Sequence, residues 1–123
     1  MANQPEWSIV FYTTADGDEP VRDWLASLDQ KTQVRFEWSI EQLRIRNVQA
    51  GEPLVKHIEG KIWELRRASS GNIYRLMYFF FTGRQIVFLS GFQKKAQKTP
   101  REEIEIAEKR MEDFIRRHEQ KGS

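Results

Sequence analysis

The sequence predicts an α+β fold, a small and mainly antiparallel twisted sheet with two N-terminal helices on one face and a C-terminal helix. Three observations predict it. Runs rich in aromatic and β-branched residues fall at 7–13, 61–68, 73–81 and 85–92, and the last three are joined by connections short enough for a meander. Apolar residues at helical spacing fill most of 20–48 and 101–115. The two kinds of pattern are segregated along the chain, which places helices on a sheet instead of alternating them with parallel strands. The expected order is β-α-α-β-β-β-α.

The elements follow in turn. Residues 7–13, Trp-Ser-Ile-Val-Phe-Tyr-Thr, read as a first strand, and Ala15-Asp16-Gly17-Asp18 as a turn. Pro20 opens a helix with Val21, Trp24, Leu25 and Leu28 on one stripe. Asp29 caps a longer second helix reaching to about Val48. That helix carries two apolar stripes: Val34, Trp38, Ile45 and Val48 on one side, Phe36, Ile40 and Leu43 nearly opposite. One stripe is expected on the sheet and the other on the first helix, with Phe36 and Ile40 as candidates for partner contact. Gly51-Glu52-Pro53 ends it. Ser69-Ser70-Gly71-Asn72 and Thr82-Gly83-Arg84 turn the meander. Thr99 then caps the last helix, Pro100 takes its first position and Glu102 closes a capping box. Ile104, Ala107, Met111, Phe114 and Ile115 form its apolar stripe, and Glu105/Lys109, Glu112/Arg116 and Asp113/Arg117 can pair on its exposed side.

A chain of 123 residues supports one ordinary core, so residues 1–123 are read as a single domain with 119–123 frayed. The absence of cysteine excludes disulfides, thiolate metal sites and a cysteine nucleophile. No stretch is apolar enough for a signal or an anchor, so no membrane association and a cytoplasmic location are expected. The net charge of +2 conceals an asymmetry. Residues 53–100 carry nine basic side chains against Glu59 and Glu64, whereas residues 1–52 carry five against nine acidic ones. A basic middle between acidic flanks is the footprint of one face that meets a polyanion.

Alternation of side chains says which residues share that face. With Trp63 and Leu65 in the core, Ile62, Glu64 and Arg66 point the other way. Arg75 is costly to bury unpaired, so Ile73, Arg75, Met77 and Phe79 join the open face and Tyr74, Leu76, Tyr78 and Phe80 the core. In the last strand Val87 and Leu89 are assigned to the core, and Phe88, Ser90 and Phe92 to the open face, which the helices leave bare. Arg66 and Arg75 thus become candidates to clamp a phosphate. Lys94, Lys95 and Lys98 lie beyond the strand, where mobile ammonium groups suit phosphate contacts. Phe92, with Tyr74 or Tyr78, is a candidate stacking platform for bases. His57 is expected to be a surface residue.

The pieces Glu64-Leu65-Arg66, Tyr74-Arg75, Val87-Phe88-Leu89-Ser90-Gly91-Phe92-Gln93-Lys94-Lys95 and Lys98-Thr99-Pro100, with Ala107 beyond, resemble the signature of HigB-like toxins. These form the phage-derived branch of the RelE/ParE superfamily, and the resemblance runs from about Trp7 to Phe114. It implies a RelE-like fold and an mRNA endoribonuclease of a type II toxin–antitoxin system. It also implies action on mRNA, free or on the ribosome, and neutralisation by a helix-turn-helix antitoxin. Arg66, Arg75, Lys94 and Lys95 match the family's basic active-face positions. Lys56 and Lys98 are weaker matches. Ser90 stands where relatives often carry histidine, so no imidazole acid or base is implied there.

RNA brings its own nucleophile, the ribose 2′-hydroxyl, so the expected chemistry needs no cofactor and no metal, and no carboxylate cluster suited to a metal is evident. Arg66 and Arg75 would hold the scissile phosphate, with Lys94 or Lys95 holding neighbouring phosphates or protonating the leaving oxygen. Glu64, a lysine or a tyrosine is the candidate base. Lys56, Glu64, Phe92 and Lys98 complete the expected substrate contacts. Two rivals keep the fold: a ParE-like poison of DNA gyrase, and an RNA-binding phage accessory module without cleavage.

Overall fold

A computed structural model describes residues 7–46, 55–94 and 99–122. Its elements are β1 (Ser8–Phe11), α1 (Pro20–Ala26), α2 (Gln30–Arg46), β2 (Val55–Glu59), β3 (Ile62–Ser69), β4 (Asn72–Phe81), β5 (Gln85–Lys94) and α3 (Arg101–Gly122). The strands form one sheet in the order β1-β5-β4-β3-β2, with β1 parallel to β5 and the other pairs antiparallel. The α+β class, the two helices on one face and the C-terminal helix are as the sequence predicts. The structure adds β2, which the sequence order lacks, and α3 runs to Gly122.

Local chemistry explains the elements. Pro20 occupies the first turn of α1, where its missing N–H costs nothing. The Asp29 carboxylate accepts from the Thr32 N–H at 2.8 Å and caps α2. Thr32 in turn donates to the Ser69 hydroxyl at 2.8 Å, a buried bond that ties the start of α2 to the end of β3. The β3–β4 turn places Ser70 and Gly71 at positive φ, 53° and 80°, the twist that a two-residue hairpin requires. It fixes the register Ser69↔Asn72 and, three pairs on, Arg66↔Arg75.

The sheet is covered on both faces. On one, Val21, Phe36, Leu43, Val55, Leu65, Tyr74, Leu76, Tyr78, Ile86 and Phe88 make a core beneath α1 and α2. Gly91 permits this packing, since a Cβ there would stand 2.3 Å from the Trp24 ring. On the other, Ile62, Met77, Phe79, Val87, Leu89 and Phe92 pack with Tyr12 against Ala107 and Phe114 of α3. The face expected to be bare is therefore largely occupied by α3. Strict alternation also fails in β5. Met77 pairs with Ser90 and Tyr78 with Phe88, so Leu89 is an extra residue. This bulge returns Val87 and Leu89 to the face of Ser90 and Phe92, and sends Phe88 to the other. Arg110 of α3 donates to the Leu89 carbonyl at 2.8 Å.

In α2 the stripes are the reverse of what was expected for partner contact. Phe36 and Leu43 are buried and Ile40 packs beside them, whereas Val34, Trp38 and Ile45 are 54%, 54% and 52% exposed. The expectation for Val48 lies outside the described residues.

The far part of α3 is held to the sheet by a polar clamp. Tyr12 donates its hydroxyl hydrogen bond to Asp113 at 2.6 Å, Arg117 pairs with Asp113 at 2.8 Å, and Arg117 also donates to the Thr13 carbonyl. Arg116 pairs with Asp113 as well, at 2.7 Å. The Tyr12 hydrogen bond above all, and the neighbouring arginines, hold the Asp113 carboxyl below its ordinary range. A lowered folded-state pKa favours the charged form, so this contribution is complete above the unfolded value of about 3.9 and fades as pH falls through the folded one. Urea melts at stepped pH should show wild type losing stability below about pH 4 more steeply than Asp113→Asn. Parallel acid slopes would show that this carboxylate does not contribute.

Candidate functional site

The end of the sheet beyond α3 is where two of the sequence-predicted cations, Arg66 and Arg75, stand side by side. Arg66 and Arg75 are direct cross-strand partners of β3 and β4, and Arg75 faces Phe92 across β4 and β5. Ile73 faces Lys94, and Lys56 of β2 faces Glu64. The two-residue period then puts Lys56, Glu64, Arg66, Ile73, Arg75, Ser90 and Phe92 on the α3 side of the sheet. Nearer the turn this face is open: Arg66 is half-buried, and Ala68 and Ile73 are exposed.

The two arginines are not presented alike. Arg75 is 2% exposed, and its Nη1 donates to Oε1 of Glu64, itself 0% exposed. The other Glu64 oxygen accepts from the Thr99 hydroxyl at 2.9 Å. Burial pushes the Arg75 guanidinium down from its ordinary value, Glu64 opposes that shift, and the like charge of Arg66 adds to it. Arg66 has no carboxylate partner among the described residues. The expectation of two guanidiniums opening together on a bare face is thus corrected to one accessible guanidinium beside one that is buried and paired.

Other candidates are placed as follows. Lys56 is exposed at the edge strand. Lys94 ends β5, while Lys95 and Lys98 lie outside the described residues. Phe92 is 8% exposed in the α3-side core, and Tyr74 and Tyr78 are 8% and 1% exposed in the opposite one. These rings are occupied by packing, which corrects the expectation of a stacking platform. His57 pairs with Trp63, so it belongs to the other face, where its Nε2 lies 2.7 Å from the Gly60 carbonyl oxygen. Sequence reasoning missed the role of Thr99. α3 begins at Arg101, the Pro100 carbonyl accepts its first N–H bonds, and the Thr99 hydroxyl goes to Glu64. The residue type gave a polar signal, but a cap and a tertiary latch demand the same chemistry.

Among the described residues no group of three or more His, Asp or Glu side chains is placed to hold a metal ion, and no helix is long and apolar enough to cross a membrane.

A five-stranded sheet between an N-terminal helix pair and a C-terminal helix, with an arginine pair across two of its strands, defines a RelE-like α+β protein. Residues 23–112 match the family described as Phage derived protein Gp49-like (DUF891). The chain belongs to this family of phage-derived, RelE/HigB-type toxins. It is also 29% identical over 97 residues to a protein named Probable endoribonuclease HigB1 in two strains of Mycobacterium tuberculosis, CDC 1551 / Oshkosh and ATCC 25618 / H37Rv. That alignment covers 79% of this chain and 75% of each relative.

Proposed function

We propose that this protein is the toxin of a type II toxin–antitoxin pair and cleaves mRNA without a metal, acting on ribosome-associated message in the cytoplasm. The cognate antitoxin is expected to be a helix-turn-helix protein, and residues 1–123 to act as one domain. The observation that carries the reading is the Arg66–Arg75 cross-strand pair at the open end of the sheet, whose two cations face a single buried carboxylate that is paired to Arg75. Such a surplus of fixed positive charge suits a phosphodiester. Membership of the toxin family and likeness to a protein named as a probable endoribonuclease support the same chemistry.

In this reading Arg66 contacts the scissile phosphate, and Arg75 reinforces it from the adjacent strand. Lys56, Lys94, Lys95 and Lys98 hold neighbouring phosphates, and Glu64 and Phe92 form the floor beneath. The ribose 2′-hydroxyl attacks phosphorus, the bond to the 5′-oxygen breaks, and the 2′ proton goes to a base while the leaving oxygen gains one from an acid. The products are a 2′,3′-cyclic phosphate and a 5′-hydroxyl.

The test is incubation of purified protein with end-labelled mRNA, with and without translating ribosomes, and chemical typing of the new ends. Cyclic phosphate and 5′-hydroxyl termini are expected. Salt-sensitive RNA binding without cleavage would replace the proposal with a binding module. Inhibition of gyrase supercoiling with intact RNA would replace it with a topoisomerase poison.

A further inference from the structure

We infer that Glu64 and Thr99 are positioning residues that set the Arg75 guanidinium beside Arg66, an assignment that rests on the nucleolytic reading above. Arg75 is the only buried arginine among the described residues, and a buried guanidinium stays where its counter-charge puts it. That counter-charge is Glu64, from the neighbouring strand. A carboxylate on a glutamate turns freely about its last torsion unless both oxygens are engaged. Here both are: Oε1 by Arg75 and Oε2 by the Thr99 hydroxyl. Thr99 lies 35 positions along the chain, just ahead of α3, so the bond joins the entry of that helix to the sheet.

Two further facts separate positioning from simple packing. The Thr99 hydroxyl is spent on Glu64 although a helix start lies within reach, so its geometry serves the carboxylate. Arg75 Nε is buried and has no hydrogen-bond partner among the described residues, so the Glu64 contact carries the orientation of the guanidinium. A fixed guanidinium one strand from an accessible Arg66 is a preorganised positive charge behind any anion that Arg66 contacts. Full burial with both oxygens engaged also places Glu64 poorly to take the 2′ proton. It orients a cation instead.

Thr99→Val and Thr99→Ser test this, with Glu64→Gln as a harsher companion. The readouts are kcat and KM for cleavage of a labelled mRNA on translating ribosomes, the pH–rate profile, and a thermal melt of each variant. Misplacing a reacting group by about 1 Å costs up to roughly a hundred-fold in rate. Thr99→Val should therefore stay folded and lose on the order of ten-fold in kcat with KM nearly unchanged. The acid limb of its pH profile should keep its place, and Thr99→Ser should restore the rate. If wild type cuts and Thr99→Val cuts equally fast, or Thr99→Ser fails to rescue, the positioning role is overturned while cleavage stands. A shifted or lost acid limb would also overturn it, by making Glu64 part of the proton transfer. If wild type leaves RNA whole, the nucleolytic reading has failed first and this assignment falls with it.

Discussion

Replacing Glu64 by alanine should cost the fold about 3–5 kcal/mol, the usual penalty for leaving one member of a buried ion pair alone. The carboxylate is fully buried, and so is the Arg75 guanidinium that it balances. Without it a cation remains beneath the start of α3, with Thr99 the nearest polar neighbour on this network and itself a poor counter-charge. Urea denaturation checks the magnitude. The double variant Glu64→Leu/Arg75→Leu should recover most of the loss, because a buried pair compares poorly with apolar side chains of similar volume. A single variant within about 1 kcal/mol of wild type would mean that water reaches the pair and that the site is more open than its burial indicates. The same reasoning makes Arg75→Ala a confounded probe of catalysis, since it strands the carboxylate and weakens the fold at once.

The buried pair also marks where sequence reasoning held and where it stopped. Alternation placed Glu64, Arg66 and Arg75 on one face correctly, because a short hairpin leaves β3 and β4 no room to slip. It failed one strand later. Nothing in Phe88-Leu89-Ser90 announces that Leu89 is an extra residue, since a bulge with an apolar side chain reads like any strand position. The short β2 is hard to see in the sequence because Lys56, His57 and Glu59 leave it little apolar signal, as suits an edge strand. In α2 both stripes were visible but not their order. Thr32 and Ser39 lie on the buried side with Phe36 and Leu43, and two small polar residues disguised it. The single apolar stripe of α3 was legible, yet the sequence did not say against which face it lies. Among the described residues that contact leaves Arg66 half-buried and Ala68 and Ile73 exposed, near the β3–β4 turn at one end of the sheet.

That end makes Arg66 the decisive residue for activity. Arg66→Ala removes the accessible guanidinium opposite Arg75, and deleting one such donor to a developing oxyanion typically lowers the rate about a hundred- to a thousand-fold. Stability should change little, because Arg66 is half-buried with no carboxylate partner among the described residues. Arg66→Lys keeps the charge but loses the planar pair of donors, so it should recover only part of the rate. Arg84 supplies the control. It is exposed next to Gln85, which pairs with Phe81 at the other end of β4, so Arg84→Ala should cleave like wild type. Charge alone would make the two substitutions equivalent, each removing one cation from the same chain. A long-range field therefore predicts similar, salt-dependent losses for both, whereas a phosphate seated between β3 and β4 predicts a large loss for Arg66 alone. Steady-state cleavage of labelled mRNA by the two variants, at low and at physiological salt, decides between them. Equal rates for Arg66→Ala and Arg84→Ala would remove the arginine pair from the reaction.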